Sequence, residues 1–115
     1  MKNRQLIDMI KSLEQASDET GKAIWKALAE ELDKPKRRRI AVNLSRIERH
    51  TKEDDVVVVP GKVLAAGSLS KPLRIVAYAF SEGALEKIKL AKSEAMNLEE
   101  LLESDIQPSQ IKIIK

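Results

Sequence analysis

Apolar residues recur along the first third of the chain with a helical period. Leu6, Met9, Ile10 and Leu13 fall at i, i+3, i+4 and i+7 and define one face of a helix capped by Asn3 and running to about Gln15. Residues 17–21 read as a break. A second helix follows from Lys22 to about Leu32, with Ile24, Trp25, Leu28, Ala29 and Leu32 as its buried stripe. Pro35 stops it, because the residue before a proline is pushed out of the α region. These segments form a helical pair joined by a short loop. Trp25 sits in register with Leu28 and Leu32, which makes it a core anchor. The alternative is a stacking platform for bases.

Past residue 39 the period changes. Residues 40–42 read as a short strand, and Asn43 suits the cap of a brief helical turn through Leu44 and Ile47. Residues 52–55 form a polar turn. The β-branched run 56–59 has no polar position, so it reads as a strand buried on both faces. Pro60-Gly61 turns the chain, and residues 62–64 resume an extended path. Residues 65–72 read as a loop in which Gly67 is free to take positive φ. A second long strand covers 73–80. Ser81 caps a helix from Glu82 to about Ala91, with Leu85, Ile88 and Ala91 facing inward. Residues 94–96 form a short strand. Asn97, with Glu100 three positions on, is a capping box opening the last helix. Residues 111–114 close with a strand.

One echo runs through this pattern. Ala41-Val42-Asn43-Leu44 and Ala95-Met96-Asn97-Leu98 each place a short strand, an Asn cap and a helical turn in the same order. Recurring strand-cap-helix units predict a wound, repeat-like α/β fold.

The chain has 115 residues, 43% of them apolar. That is one domain's worth of sequence, enough to bury a core. We expect a single domain over 1–115: a helical pair at 1–34, a basic tract at 35–53 and an α/β body at 54–115. No cysteine is present, so disulfides, Cys-based zinc sites, iron–sulfur clusters and cysteine nucleophiles are excluded. His50 is the only histidine, which rules out a multi-histidine metal site. The longest charge-free apolar stretch, residues 75–80, is far short of the ~18 residues of a spanning helix. The N-terminal MKNRQLIDMIK is too charged for a signal peptide. The expectation is a soluble, cytoplasmic protein with no membrane partner.

Charge changes the picture more than composition does. The net charge is +3, unevenly placed. Between Lys34 and Lys52 lie eight basic residues, namely Lys34, Lys36, Arg37, Arg38, Arg39, Arg46, Arg49 and Lys52, and one acid, Glu48, for a window of +7. The remainder carries 13 basic and 17 acidic residues, or −4. A basic stripe on a mildly acidic body is the footprint of a nucleic-acid partner. The other readings are a solvated charge run or a targeting signal.

No constellation points to catalysis. The tract from Pro60 to Ser68 follows a strand, as phosphate loops do, but lacks the GxxxxGK[ST] and GxGxxG orders. Its glycines allow close backbone approach to a phosphate, and Lys62 and Lys71 flank it. An ordinary loop between strands is the equal alternative. Glu53-Asp54-Asp55 reads as a solvated turn before the valine strand, and Glu99, Glu100 and Glu103 as an outer helix face. Ser45 lies near His50 in sequence, but nothing positions a third group. We expect no enzyme, no cofactor, no metal and no small-molecule substrate.

The tract VNLSRIERHTKEDDVVVVPGKVLAAGSLSK, residues 42–71, closely resembles the archaeal and eukaryotic large-subunit ribosomal protein eighteen-e family, which shares a domain with the bacterial large-subunit ribosomal protein fifteen. The likeness extends to SDETGKAIWKALAEELDKPKRRR before it, and to AFSEGALEKI, EAMNLEELLE and IKIIK after it. It covers nearly the whole chain, and the short length looks archaeal. The resemblance implies an irregular superhelix of β-β-α turns preceded by helices. It also implies a structural constituent of the large ribosomal subunit that binds large-subunit ribosomal RNA among neighbouring ribosomal proteins. Lys36–Arg39, Arg46 and Arg49 match the family's basic pattern. Two departures stand out: Ala65 stands where the family commonly has glycine, and Lys92-Ser93 where it commonly has a glycine pair.

With aromatics at 3%, base stacking is a minor contact, and phosphate and ribose contacts must dominate. The expected RNA-binding set is Lys34, Lys36, Arg37, Arg38, Arg39, Arg46, Arg49, Lys52, Lys62 and Lys71. The competing function is a free-standing nucleic-acid-binding regulatory or chromatin protein. The absence of a helix-turn-helix pattern, of zinc ligands and of aromatic RNA-recognition strands counts against it.

Overall fold

The computed structural model of the chain describes residues 3–35 and 40–115. The chain divides into two compact units between residues 39 and 40, inside the stretch 35–53. Lys36, Arg37, Arg38 and Arg39 lie outside the described residues.

The first unit is the expected helical pair. In α1 (Arg4–Thr20) the Asn3 side chain accepts from the Leu6 N–H at 2.8 Å, and Leu6, Met9, Ile10 and Leu13 are buried. The helix runs past the expected end at Gln15, and residues 17–20 continue it. Their polar side chains are compatible with that path, since the Thr20 hydroxyl donates back to the Ala16 carbonyl at 2.7 Å. What ends the helix is Gly21, at φ 70°, whose N–H donates to the Ser17 carbonyl at 2.8 Å. In α2 (Ala23–Leu32), Trp25, Leu28, Ala29 and Leu32 are buried and Ile24 is half-buried. Trp25 is 6% exposed, as a core anchor requires.

The second unit is a five-stranded, wholly parallel sheet: β1 (Ile40–Asn43), β2 (Val56–Leu64), β3 (Arg74–Phe80), β4 (Glu94–Asn97) and β5 (Ile111–Ile113). Its order is β1-β2-β3-β4, with β5 also on β2. β1 takes the Gly61–Leu64 half of one β2 edge and β5 takes the Val56–Val58 half. Helices α3 (Leu44–Arg49), α4 (Glu82–Leu90) and α5 (Leu98–Glu103) follow β1, β3 and β4 directly. The α/β class and the helical pair are therefore as expected. The β-β-α order occurs as β2-β3-α4 within this one sheet.

One face of the sheet carries the core of Val42, Val57, Val59, Val63, Ile75 and Ala77, covered by Leu44 and Ile47 of α3 and Ala84 and Ile88 of α4. Period-2 alternation sends Val58, Val76 and Met96 to the other face. There α5 lies against β3 and β4 and buries Leu98 and Leu101. Leu85, expected inside, is 45% exposed. The Ser81 cap, accepting from the Ala84 N–H at 3.2 Å, fixes the helix so that Ala84 and Ile88 face in, and Leu85 lies one residue, about 100°, further round.

Pro60-Gly61 does not turn the chain. β2 runs unbroken through it, with a bulge against β3 between Val59 and Lys62. Proline is tolerated at a bulge because no ladder donor is needed there. The connection that does reverse is residues 65–73. β2 and β3 are parallel, so it must run back about 23 Å, seven residues' rise, along the sheet. It does so over the α3/α4 face, burying Leu69 and Leu73.

Two family departures have a physical reading. A Cβ on Gly83 would sit 2.9 Å from the Ala65 Cβ, so only one of these positions has room for a methyl. Gly83→Ala should destabilise the chain by about 1–2 kcal/mol despite its better helix propensity. Ala65→Gly in the same chain should recover most of that loss. Additive losses in a urea-melt double-mutant cycle would refute the pairing. Lys92 adopts φ 59°, the left-handed region that glycine occupies without strain. Lys92→Gly should therefore stabilise by about 0.5–1 kcal/mol, read as a higher urea midpoint. The Ser93 hydroxyl has a separate role. It accepts from the Leu73 N–H at 2.8 Å and donates to the Lys71 carbonyl at 2.9 Å, tying the loop to the start of β4.

Candidate nucleic-acid interface

Helix α3 carries the second half of the basic stripe, and the core fixes its orientation. Leu44 and Ile47 are fully buried, so Arg46 and Arg49, three apart, point outward and are exposed. Lys52 follows, also exposed, in the turn after the helix. At the other end of α3, Asn43 holds the cap position but makes no side-chain cap bond. The crossing loop takes over that role, with the Ser45 N–H donating to the Ala66 carbonyl at 3.1 Å. Gly67 makes this approach possible. It has φ 95°, and a Cβ there would lie 2.5 Å from the Ser45 Cβ.

The C-terminal carbonyls of α3 are capped by lysines. Lys71 Nζ donates to the Glu48 carbonyl at 3.0 Å and the Thr51 carbonyl at 2.6 Å, and Lys112 Nζ donates to the His50 carbonyl at 3.0 Å. Cations there also complement the helix dipole. Glu48, the one acid of the +7 window, turns away from the arginines. Its carboxylate accepts from the Ser70 hydroxyl and, at 3.1 Å, the Ser70 N–H, and it faces Lys71 at 3.7 Å. The Ser70 hydroxyl bond is the main cause that holds its carboxyl below the ordinary 4.5.

A carboxylate with a depressed folded-state pKa adds stability above its unfolded pKa and loses it as pH falls through the folded value. Ser70→Ala should therefore lower stability by about 1 kcal/mol at pH 7. The gap should close as the solution is acidified below the ordinary carboxylate range. Urea midpoints of both proteins across pH would show this, and a pH-independent gap would deny the Glu48 linkage.

The other expected contacts are spread over the molecule. Lys34 is exposed and pairs with Glu31 at 2.7 Å. Lys62 is exposed on β2, in register with Ala41 and Ala79. Lys71 is half-buried, its ammonium committed to the end of α3. The glycine tract offers its carbonyls to its own chain: Ala65 and Gly67 oxygens accept from Lys87 Nζ at 2.7 and 2.6 Å. In the acid turn, Asp55 accepts from the Lys52 N–H at 2.8 Å and pairs with Lys112 at 3.6 Å. That backbone bond first, then Lys112 and Lys52, holds its carboxyl below the ordinary 3.8. Among the described residues, no three His, Asp or Glu side chains are placed to hold a metal ion, and no helix is long and apolar enough to cross a membrane.

Sequence reasoning missed the contribution of the C-terminal strand. Lys112 and Lys115 lie beside Arg46 and His50, and with Ile113 and Ile114 they line an open pocket of ≈ 380 Å³. The Arg46 Nε donates to the Lys115 main-chain oxygen at 3.1 Å across 69 residues of sequence. The available signal was the alternation Ile111-Lys112-Ile113, which turns a lysine off a strand beside the basic stripe.

Fold and site together define an α/β protein that presents cations from a short, tightly held helix. Residues 22–95 match the family described as "Ribosomal proteins 50S-L15, 50S-L18e, 60S-L27A". The chain is 43% identical over 113 residues to the large ribosomal subunit protein eL18 of Methanothermobacter thermautotrophicus, covering 98% of this chain and 93% of that one. It is 40% identical over 112 residues to eL18 of Archaeoglobus fulgidus (97% and 96% covered) and 42% over 113 residues to that of Haloarcula marismortui (98% and 97%). The chain belongs to this family of ribosomal proteins, whose members are structural proteins and not enzymes.

Proposed function

We propose that the chain is a structural constituent of the large subunit of the cytoplasmic ribosome. In this reading it binds large-subunit ribosomal RNA through its basic tract and touches neighbouring ribosomal proteins elsewhere, its helical pair, tract and α/β body serving as one domain. The observation that carries this reading is the orientation of α3. Arg46 and Arg49 point out with Lys52 beside them, while Glu48 is drawn aside to Ser70 and Lys71. A stripe cleared of its one carboxylate suits a polyanion. Lys34, Lys36, Arg37, Arg38, Arg39 and Lys62 extend the contact in this reading, and Lys71 contributes by holding the end of α3.

The test is a salt titration of binding to large-subunit ribosomal RNA. Arg46, Arg49 and Lys52 changed together to Gln should flatten the log–log salt slope by roughly one unit for each phosphate no longer neutralised. The control changes Glu99, Glu100 and Glu103 to Gln. Glu100 belongs to the Asn97 capping box, which glutamine also satisfies, so this variant keeps its fold and its slope. An unchanged slope in the cationic variant would remove α3 from the interface.

A further inference from the structure

We infer that Ser70 is a positioning residue for RNA binding: with Lys71 it holds the Glu48 carboxylate against the crossing loop, and without it that carboxylate becomes a competitor built into the α3 face. This rests on the RNA-binding reading above. Glu48 is a liability by its place in the chain. It lies one position before Arg49 and four before Lys52, the spacing at which a glutamate meets a lysine along a helix. Both cations are exposed, and neither forms an ion pair among the described residues. Arg46 is already bonded to the main-chain oxygen of Lys115. A carboxylate loose on this surface would neutralise a cation that a phosphate must otherwise meet.

The crossing loop prevents this by engaging both carboxylate oxygens. The Ser70 hydroxyl donates to one, the Ser70 N–H donates to the other at 3.1 Å, and Lys71 Nζ faces the first at 3.7 Å. The Glu48 and Lys71 side chains are each only 25% exposed, so salt screens their attraction less than that of a surface pair.

Ser70 can hold another side chain because the loop is fixed on either side of it. Leu69, just before it, is buried. Just after it, the Lys71 carbonyl accepts from the Ser93 hydroxyl at 2.9 Å, and Lys71 Nζ is committed to the Glu48 and Thr51 carbonyls. The same loop meets the other end of α3 through the Ala66 carbonyl. Glu48 therefore ties helix to loop while Ser70 keeps its charge off the cations.

The test measures binding of the full chain to transcribed large-subunit ribosomal RNA at low salt, with thermal melts alongside, in a two-by-two set of Ser70→Ala and Glu48→Gln. Glu48→Gln alone should leave affinity nearly unchanged, because the carboxylate it removes is already masked. Ser70→Ala should weaken binding about three- to fivefold, the effect of one unmasked charge beside a phosphate. Adding Glu48→Gln to Ser70→Ala should restore the affinity without restoring the melt, since the double variant still lacks the Ser70 hydroxyl. Ser70→Thr keeps the hydroxyl and should bind as the wild type does. Under a purely structural role, affinity would follow the melt across the whole set.

Ser70→Ala binding as tightly as the wild type would overturn the positioning role and leave the RNA reading standing. A loss that Glu48→Gln fails to rescue would overturn it too. So would a gain from Glu48→Gln as large beside Ser70 as beside Ala, since the carboxylate would then never have been masked. A wild-type chain that fails to bind the RNA would sink both readings.

Discussion

Gly61→Ala should lower the melting temperature by about 12 °C or more. A Cβ at Gly61 would lie 2.1 Å from the Ile40 carbonyl oxygen and 2.9 Å from its carbon. Both are backbone atoms of β1, so no side chain can rotate away. Relief requires β1 to leave β2 at the Ile40–Gly61 pairing, and β1 leads directly into α3. Overpacking against a rigid neighbour costs about 3 kcal/mol, and each kcal/mol moves the melt of a small domain by ~4–8 °C. The same change should weaken RNA binding, because Arg46 and Arg49 ride on α3. Gly21→Ala is the informative comparison. Gly21 has φ 70° with nothing within 4 Å of a built Cβ, so its substitution carries only the left-handed cost of ~1–2 kcal/mol. Thermal melts by circular dichroism separate the two, and equal losses would show that backbone conformation, not the approach of Ile40, sets the requirement at 61.

Changing Arg37, Arg38 and Arg39 together to Ala should weaken RNA affinity more than any other substitution proposed above. Four consecutive cations, Lys36–Arg39, give this stretch the highest positive charge density in the chain. Counterion release at phosphates scales with the number neutralised, so log affinity falls with log salt by a little under one unit for each. The triple variant should lose roughly one unit of slope per phosphate, up to three. Binding at low salt should fall by orders of magnitude and converge on the wild type as salt rises. If the tract serves the RNA and not the fold, the melt should hold. A preserved slope, or a collapsed melt, would show that the arginines serve the fold and not the RNA.

How far the sequence can be read depends on whether a residue's role is local. The Asn43 and Asn97 junctions, the Ser81 cap and the Val56–Val59 strand are legible because each is set by neighbours a few positions away. Pro60-Gly61 reads as a turn because that dipeptide signals one locally. That it runs on as strand depends on distant partners: β3 pairs with β2 on both sides of the bulge, and Ile40, twenty-one residues earlier, packs closely on Gly61 from the other edge. Residues 17–20 carry turn-like side chains, yet Gly21 sets the end of α1. Hydrophobicity alone places Leu85 inside, although the phase set at Ser81 favours Ala84 and Ile88. The site shows the same division. The charge window is visible in the sequence, whereas the capture of Lys71 by Glu48 and Thr51 depends on tertiary contacts across twenty residues or more. The pocket contributed by Lys112 and Lys115 depends on contacts more than sixty residues apart.

The division of one β2 edge between β1 and β5 bears on how the protein is made. β5 is the last strand of the sheet to be synthesised, yet its partner Val56–Val58 emerges early. A nascent chain that has completed β4 can pair β1, β2, β3 and β4 while three apolar residues of β2 still present open backbone donors and acceptors. Such an edge is a template for another chain. Until residues 111–114 dock, that half of the edge stays open, and this is the interval in which a holding chaperone would matter most.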